Sequence, residues 1–534
     1  MKPTKHIPLF PLLLIILILF QVISNYFWLR RDHFIPRHDE NDYLVKSVNT
    51  LHLFTGDDPI TLKAFLDIEP RIRPHLFPLS AWPGFLIGGI SYDSACMANS
   101  FFLIIVILAT YAIGASLGGR GRGFLAALLV SFYPFVLKFS RYFWSEIALM
   151  AVCAFALYLL IKTDKFRSTG YSIALGMTIT AGLLIQQRIV FFLITPILLT
   201  LISLFMPNRR AQPVPGKSRY RKFLNLLICL LIPALTAVPY YLYYFQLFST
   251  KFAYGITGDA WNPTTGLFSI PSLFWYLGRM QTTVSLFFFL LFLIGLAALI
   301  IKYQRRYLLL LATFVGAYLL ITIYPGKDAR YIAPLLPLAA VITAEGIGRI
   351  QPRIVRSILI VLIVLVAFFN YLRVSWNAGP FAIPYQDTLL QTPLSSEPVE
   401  LVPHEKSPRT LADWKWEAIV KRVGEESGGK RTRLLVAPYL PDFNYLSFSY
   451  FCLLNGPNIE SVAVGTKNLY YYNFDNLLRS DFILTKTGKA VPEKHLRYEF
   501  SEKTVELLNN PPPAFQKSHQ EIGRFRLPDG SEAI

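Results

Sequence analysis

Charged residues are scarce in this chain. They make up 16% of its 534 residues, whereas 53% are hydrophobic and 15% are aromatic. A soluble globular protein carries about 25% charged residues. The composition therefore excludes an ordinary soluble protein and indicates a polytopic membrane protein.

Acidic residues are the scarcer of the two charge types, with 33 Asp and Glu against 52 Lys and Arg. A formal net charge of +19 could indicate nucleic-acid binding. The basic residues, however, lie in short clusters between apolar runs, and this distribution is typical of topology signals rather than of a nucleic-acid-binding face. We therefore predict no nucleic-acid partner.

Cysteine is rare as well, with four residues scattered along the chain. No pair has the spacing of metal ligands, and two of the four lie inside apolar runs. The sequence therefore predicts neither a disulfide framework nor a zinc site. We interpret all four as packing residues: Cys96, Cys153, Cys229 and Cys452.

Apolar runs dominate what is present, and a helix needs about 20 apolar residues to cross the hydrocarbon core. The chain contains about eleven such runs, the first of which is too long for a signal peptide and is expected to be retained. A further patch at 82–90 is too short to span and is expected to be re-entrant or interfacial. The predicted spans are Ile7–Leu29, Cys96–Leu117, Phe124–Leu137, Tyr142–Ile161, Tyr171–Gln186, Ile189–Met206, Phe223–Phe245, Val284–Ile301, Tyr307–Tyr324, Tyr331–Ile347 and Ile354–Leu372.

The basic loops predict the orientation. If the N-terminus is cytoplasmic, every strongly basic short loop lies on the cytoplasmic side, as the positive-inside rule requires. We therefore predict a multi-pass protein of the cell membrane with the loop 30–95, the segment 246–283 and the tail after 376 outside the cytoplasm. The cytoplasmic loops are those with Arg120 and Arg122, Lys162 to Arg167, Arg209 to Lys222, Lys302 to Arg306, and Arg349 to Arg356.

The outer loop 30–95 opens with an acidic stretch, Asp39-Glu40-Asn41-Asp42-Tyr43. Carboxylates this close to lipid are costly unless they are solvated, paired or used. The simplest alternative is a solvated loop in which Asp39 caps the next helix. Apolar residues from Tyr43 to Phe54 recur at helical spacing, which predicts an amphipathic helix on the membrane surface with the carboxylates at its start.

The tail after residue 376 changes in character. Three short buried strands are predicted, with helices around them, and Lys503–Ile534 is interpreted as a looser end. We therefore divide the chain into a transmembrane domain, 1–375, and a small extracytoplasmic α/β domain, 376–534. The predicted strands are Leu434–Pro438, Ser461–Val464 and Phe482–Thr485, and the predicted helices are Leu411–Val423 and Phe474–Leu478.

Asp39, Glu40 and Tyr43 reproduce an Asp-Glu-x-x-Tyr motif directly after a first transmembrane helix. In this the chain resembles the GT-C glycosyltransferases, in particular glycosyltransferase family 39, with its protein O-mannosyltransferases and lipid A aminoarabinose transferases. The resemblance covers about Ile7 to Leu372, and one departure is Asn99, where relatives have an Arg. Similar stretches are Arg73–Pro78, Ser140–Glu146 and Arg330–Pro337.

The resemblance implies a GT-C-like fold and an inverting transfer of a sugar from a polyprenyl-phosphate carrier to an acceptor hydroxyl. Such chemistry needs a general base for the hydroxyl and cations for the leaving phosphate. Asp39 is our candidate base, and Glu40 orients its surroundings, binds the acceptor or holds a cation. The candidate substrate-binding residues are Tyr43, Arg73, Arg141, Glu146, Lys327, Arg330 and Tyr331.

Each basic candidate has a simpler interpretation, because Arg and Lys at helix ends commonly reach for lipid headgroups. Glu146 is a stronger candidate, since a carboxylate inside a membrane span is a functional candidate by default. The histidines at 33, 38 and 75 share the first loop but match no ligand spacing, so no metal site is predicted. No cofactor is predicted either, although some GT-C relatives use a divalent cation.

Two other functions compete with this interpretation. A transporter or flippase of lipid-linked sugars or other anionic lipids also needs charges in and near the membrane, but such proteins show related halves. This chain has no such internal repeat. A protein oligosaccharyltransferase of the same superfamily carries a Trp-Trp-Asp signature, and this chain contains no Trp-Trp pair. The sugar, the acceptor (glycan, glycolipid or protein) and the carrier length stay open.

Overall fold

A computed structural model describes most of the chain. The described residues are 9–32, 35–36, 39–56, 59–68, 73–205, 216–246, 249, 269–324, 327–376, 412–440, 442–456, 458–464, 475–491 and 499–534. The helices up to residue 376 are α1 (Leu9–Leu29), α2 (Asp39–Thr55), α3 (Leu62–Asp67), α4 (Leu76–Leu79), α5 (Trp82–Gly88), α6 (Tyr92–Gly118), α7 (Arg120–Ser131), α8 (Pro134–Phe139), α9 (Glu146–Lys162), α10 (Thr169–Ile185), α11 (Ile189–Phe205), α12 (Gly216–Thr236), α13 (Val238–Tyr243), α14 (Ile270–Val284), α15 (Leu286–Ile301), α16 (Leu308–Ile323), α17 (Leu336–Ile347) and α18 (Arg353–Trp376).

The tail adds helices and strands after residue 411. The helices are α19 (Trp416–Ser427), α20 (Tyr445–Asn455), α21 (Asp475–Leu478), α22 (Glu499–Asn509) and α23 (Pro513–Ser518). The strands are β1 (Thr432–Val436), β2 (Ile459–Ala463), β3 (Phe482–Leu484), β4 (Phe525–Arg526) and β5 (Glu532–Ala533). Two 3₁₀ segments, Arg305–Tyr307 and Ala329–Leu335, precede α16 and α17.

The helices make this an integral membrane protein. Among the described residues, six stretches are long and apolar enough to cross a membrane, and four shorter apolar stretches accompany them. The predicted count of about eleven spans stays a prediction. The six are Leu9–Leu29, Tyr92–Gly118, Tyr220–Tyr243, Arg305–Ile323, Ala329–Ile347 and Arg353–Trp376.

Several predicted spans have different boundaries in the structure. The run 124–137 is divided into α7 and α8, because Tyr133 adopts an extended conformation before Pro134 and so cannot continue a helix. The span expected from Tyr142 begins only at Glu146. The four residues before Glu146 form a turn that positions side chains of the candidate site.

The chain divides into two compact units. The first, here called the membrane unit, comprises Met1–Arg31, Pro70–Ser80 and Cys96–Pro408. The second, here called the tail unit, comprises Asp32–Glu69, Ala81–Ala95 and Arg409–Ile534. Part of the first loop therefore groups with the tail, whereas the division at residue 375 stays a prediction.

The interior of the membrane unit is formed by α9 and α17, whose side chains are almost all buried. Helix α17 packs against α15 where two glycines face each other. A Cβ added to Gly346 would lie 2.2 Å from the Cα of Gly295, so neither helix has room for a larger residue there. Small residues at such crossings let apolar helices approach closely in a membrane, where helix association depends on van der Waals packing.

The tail unit is built on a small parallel sheet in the strand order β2-β1-β3. Each of these strands overlaps a strand predicted from the sequence. Helices α19 and α20 contribute to a core with Trp416, Val420, Phe448 and Phe451. Residues after 503, expected to be loose, instead continue α22 and form α23 and a β4–β5 pair.

Helix α2 confirms the amphipathic helix predicted after the acidic stretch. It begins at Asp39, and its first turn contains all three carboxylates. Leu44 and Val48 are fully buried, and α2 packs against α20 within the tail unit. The expected position of α2 on the membrane surface stays a prediction.

The four cysteines are buried and free, as the sequence predicts. Burial raises the pKa of the Cys452 thiol to about 12, so this thiol is neutral and unreactive at neutral pH. The cysteines therefore serve packing.

Candidate functional site

Charged and aromatic side chains gather in the membrane unit where α9 begins. We call this group the Glu146 cluster; it contains Trp144, Glu146, Arg188, Asp328, Arg330 and Tyr331. Glu146 is the first residue of α9, and Arg188 lies in the short turn between α10 and α11. Asp328 and Arg330 lie at the start of the 3₁₀ segment that leads into α17. Three connections, far apart in sequence, thus contribute to one site.

Glu146 is held by two guanidinium groups. Its Oε1 accepts a hydrogen bond from Nη2 of Arg188 at 3.2 Å, and Nη1 of Arg330 lies 3.9 Å away. The Glu146 side chain is only 3% exposed. A carboxylate buried this deeply is stable only with such partners. Glu146 therefore orients both arginines.

Arg330 is engaged more tightly by Asp328. Its Nε donates to both carboxylate oxygens, at 3.0 and 2.8 Å, and its backbone N–H donates to Oδ1 at 2.8 Å. Burial acts to raise the pKa of Asp328, but the charges and hydrogen bonds of Arg330, with the charge of Arg188, outweigh burial and lower that pKa. Asp328 is therefore ionised at neutral pH, and its carboxylate fixes the Arg330 guanidinium.

Aromatic rings fix the planes of the two guanidiniums. Cζ of Arg188 lies 4.1 Å from the ring centroid of Tyr331, and Cζ of Arg330 lies 4.1 Å from that of Trp144. Cation–π contacts at this distance add about 1 kcal/mol or more where water is excluded. Each arginine is thus oriented by a carboxylate and a ring.

The Glu146 cluster retains unused hydrogen-bond donors. In the described parts of the chain, Nη1 of Arg188 and Nε1 of Trp144 are buried and have no acceptor. Buried polar atoms almost always have a partner, so each exception requires an explanation. Both atoms are N–H donors, and the acceptor oxygens of an anion are one kind of group that would satisfy them.

Lys327 lies beside the Glu146 cluster in sequence but has its own contacts. Its ammonium donates to the carbonyl of Thr322 and, at 2.9 Å, to that of Tyr324. It also lies 5.5 Å from the ring centroid of Tyr276. The side chain is almost fully buried, and burial lowers the pKa of Lys327 to about 8. Lys327 therefore closes the turn after α16.

Arg141 contacts α1 in the structure. Its Nε donates to Oδ1 of Asn25 at 2.9 Å, and its Cζ lies 5.2 Å from the ring centroid of Trp28. Asn25 in turn donates to Oγ of Ser140 at 3.1 Å. The side chain of Arg141 is 1% exposed. These contacts connect α1 to the turn before Glu146.

Asn99, where the resemblance leads us to expect an Arg, has a structural role. Its Nδ2 donates to the carbonyls of Tyr142 and, at 2.9 Å, of Trp144. Asn99 is fully buried. It therefore holds the turn that carries Trp144 and Glu146.

The acidic motif belongs to the tail unit, in the first turn of α2. Asp39 is half-buried and Glu40 is buried, because successive helical residues point about 100° apart. Tyr43, one turn later, is buried as well. The positive end of the helix dipole favours carboxylates at this position. A single helix start thus presents two adjacent carboxylates in different directions.

The structure brings only some of the predicted substrate-binding residues together. Glu146, Arg330 and Tyr331 meet in the Glu146 cluster, whereas Arg141 contacts α1 and Arg73, half-buried, lies just before α4. Arg188, Asp328 and Trp144 were not among the site residues selected from the sequence. An isolated Arg between two apolar spans and an Asp two residues before the Arg330 motif were the available signals.

The described residues form no arrangement of side chains suited to a metal ion. Within them, no group of three or more His, Cys, Asp and Glu side chains could hold a metal ion. His33 and His38 lie outside the described residues. His75 packs edge-on against Tyr240, with ring centroids 5.9 Å apart.

Residues 73–237 match the family model described as dolichyl-phosphate-mannose-protein mannosyltransferase. This segment contains Arg141, Glu146 and Arg188 and excludes the acidic motif. No curated protein matches the chain.

One solved structure shows the same fold. The chain is similar to ArnT from Cupriavidus metallidurans bound to undecaprenyl phosphate, with 15% identity, a TM-score of 0.51, and coverage of 69% of this chain and 66% of ArnT. The apo state of that ArnT gives 16% identity, a TM-score of 0.48, and coverage of 66% of this chain and 63% of ArnT. A further match is the archaeal oligosaccharyltransferase AglB from Archaeoglobus fulgidus, in complex with an inhibitory peptide and a dolichol-phosphate. It has 11% identity, a TM-score of 0.48, and coverage of 84% of this chain and 64% of AglB.

Each alignment spans slightly less than two thirds of the relative's own length. The ArnT match, at its low identity, establishes the fold. Together with the family model, it confirms the GT-C resemblance of the sequence.

Proposed function

From a GT-C fold that holds the Glu146 cluster, we propose that the protein is a membrane glycosyltransferase. It transfers a sugar from a polyprenyl-phosphate carrier to an acceptor hydroxyl on the outer face of the membrane. The observation that carries this proposal is the pair of fixed guanidiniums of Arg188 and Arg330, beside the unused N–H donors of Arg188 and Trp144. The undecaprenyl phosphate bound to ArnT, a protein of the same fold, supports it.

Arg188 and Arg330 have the chemistry that a leaving phosphate needs. Guanidinium groups bind phosphate oxygens through two parallel hydrogen bonds, and they keep their charge at any physiological pH. Both are held in place before any ligand arrives, so little ordering is required on binding. Glu146 and Asp328 partly neutralise them, which permits the carrier to leave after transfer.

Asp39 is the proposed general base. The acceptor oxygen attacks the anomeric carbon, Asp39 takes the hydroxyl proton, and the bond from the anomeric carbon to the phosphate oxygen breaks with inversion. The electron pair leaves with the phosphate, which the arginines hold. Glu40, which points in another direction, serves the acceptor or its orientation. Tyr43, Arg73 and Arg141 remain proposed substrate contacts.

The test is sugar transfer by the purified full-length protein in lipid, with a panel of polyprenyl-phosphate sugars. We expect Asp39→Asn to lower the rate by about two or more orders of magnitude while carrier binding persists. Asp42→Asn, in the same turn of α2, is the matched control for loss of charge and is expected to retain activity. Equal rates for wild type and Asp39→Asn would remove Asp39 from the mechanism.

The assay also separates the transferase from a transporter. Movement of the carrier across the bilayer, with no transfer or hydrolysis of any sugar in the panel, would contradict the proposed enzyme. The panel and a set of hydroxyl acceptors would then identify the sugar and the acceptor if transfer occurs.

A further inference from the structure

A cleft in the membrane unit lies at the end of α9 opposite to Glu146. The length of α9 separates the two sites by about 25 Å at 1.5 Å per residue. The cleft has a volume of about 300 Å³ and lies among α6, α9, α11 and α16. Its walls are apolar and include Ile113, Leu157, Leu160, Leu199 and Leu310.

The mouth of the cleft is cationic. It is lined by Lys165, Arg305 and Arg306, with Asp164 as the acidic side chain of the lining. Asp164 already accepts a hydrogen bond from Nη1 of Arg167 at 3.0 Å, so its charge is compensated. Three cations beside an apolar interior suit a ligand that is anionic at one end and hydrocarbon at the other.

The start of α16 adds to the positive potential at the mouth. Tyr307, its N-cap residue, makes no side-chain capping hydrogen bond, and Leu308 to Leu310 line the cleft. The N–H of Leu308 already bonds the carbonyl of Arg305 in the preceding 3₁₀ segment, so the contribution of α16 is its helix dipole, which favours an anion at the N-terminal end.

An unusual turn places Lys165 at this mouth. Asp164, Lys165 and Phe166 have φ angles of 46°, 58° and 61°, a left-handed conformation that L-residues rarely adopt consecutively. Buried Phe166 fixes the turn, because Nδ2 of Asn225 donates to its carbonyl at 2.9 Å and its N–H donates to Oγ1 of Thr163 at 3.3 Å. Lys165 is thus presented by a rigid turn rather than by a flexible loop.

We propose that this cleft binds one anionic phospholipid. The phosphate lies among Lys165, Arg305 and Arg306, and the upper part of one acyl chain lies between the leucine side chains. The combination of charge and apolar walls selects a lipid over a free anion, since a free anion would leave the walls unfilled. This site is separate from the proposed carrier site and does not depend on the proposed enzyme activity.

The test is lipid retention by the full-length protein, measured by native mass spectrometry after purification with phosphatidylglycerol or phosphatidylcholine. We expect one retained phosphatidylglycerol and little phosphatidylcholine. Arg305→Gln with Arg306→Gln is expected to lower this retention by about tenfold. The matched control is Lys302→Gln with Arg353→Gln, which removes two exposed charges that do not line the cleft. An equal loss in the control would overturn the proposal.

A second pair of variants tests the cleft without changing charge. One variant fills the cleft, and the other is its control. Ser203 lines the cleft on α11, whereas its neighbour Ile202 is 49% exposed and does not. Ser203→Phe is expected to abolish retention of phosphatidylglycerol, and Ile202→Phe is expected to retain it, with both variants showing wild-type thermal unfolding. Retention by Ser203→Phe would contradict a bound acyl chain. Displacement of the lipid by millimolar inorganic phosphate would instead indicate a site for the free anion.

Discussion

Arg188 shows how single residues of the Glu146 cluster depend on each other. It pairs with Glu146 on one side, stacks on Tyr331 on the other, and keeps an unused Nη1 donor. A lysine could supply the charge but neither the planar stacking nor the fork of donors. The identity of the residue, and not its charge alone, therefore determines the geometry.

Replacement of Arg188 by Gln is expected to weaken carrier binding. It removes a proposed phosphate contact and the guanidinium that hydrogen-bonds buried Glu146, so the Kd for undecaprenyl phosphate should rise about 10- to 100-fold. Arg188→Lys should recover only part of the affinity. The control Arg221→Gln removes an exposed arginine whose Nη2 lies 3.4 Å from Oγ1 of Thr169. An unchanged affinity of Arg188→Gln for undecaprenyl phosphate would exclude Arg188 as a carrier contact.

The lowered pKa of Lys327 predicts that the stability of the protein depends on pH. Its pKa falls from 10.5 in the unfolded chain to about 8 in the folded protein, so between these values the unfolded chain binds more protons and stability rises with pH. The stability of wild type relative to Lys327→Met should therefore increase by up to about 3 kcal/mol as the pH rises through this window. Thermal unfolding in detergent at pH values between about 8 and 10.5 measures this difference in stability. Lys302→Met is the control at an exposed position. A relative stability that falls with pH would contradict the buried, weakly basic ammonium.

At the scale of elements, short connections position the site. The turn at 142–145 replaces a helical start that the apolar pattern predicts, because Asn99 provides hydrogen bonds to its carbonyls. The 3₁₀ segment Ala329–Leu335 follows Asp328, whose carboxylate caps it and also holds Arg330. Helix ends and the turns beside them, rather than helix faces, therefore carry the side chains of the Glu146 cluster.

The glycine contact between α15 and α17 predicts a large effect of one methyl group. Gly346→Ala would place a Cβ 2.2 Å from a backbone atom, and separation of the helices should cost several kcal/mol, by analogy with overpacked cores at about 1–3 kcal/mol or more. The control Gly278→Ala has open space around its Cβ and should be neutral or slightly stabilising. Thermal unfolding in detergent compares the two, and equal melting temperatures would contradict the close contact.

At the scale of the whole molecule, the positive-inside rule predicts which loops lie on the cytoplasmic side of the membrane. The cationic mouth residues and the other basic loops belong to the predicted cytoplasmic face, and the loop 30–95 and the tail to the opposite one. The glycosyl transfer proposed here requires this arrangement, because the carrier presents its sugar at the outer surface.

Cysteine labelling in intact cells tests the orientation. The four native cysteines are buried, so their reaction with a membrane-impermeant maleimide should be slow. A cysteine introduced at Lys63 or Glu521, both exposed, should be labelled from outside, whereas one at Lys302 should react only after permeabilisation. The opposite pattern would invert the topology and place the proposed site in the cytoplasm.

The sequence by itself determined the membrane class, the helical character of the apolar runs, the amphipathic helix after the acidic motif and the three strands of the tail. These follow from local composition and periodicity, which act within one segment of chain. The GT-C resemblance also rested on contiguous motifs, such as Asp39 with Glu40 and the run that begins at Arg330.

Only the tertiary structure decided which charges meet. Arg188 is separated from Glu146 by 42 residues, and no periodicity indicates that their side chains share a hydrogen bond. Arg141, five residues from Glu146, contacts Asn25 and Trp28 of α1, because the turn before α9 directs its side chain there. The physical reason is that burial requires each charge to find a compensating partner, and the packing of distant helices determines which partner is within reach.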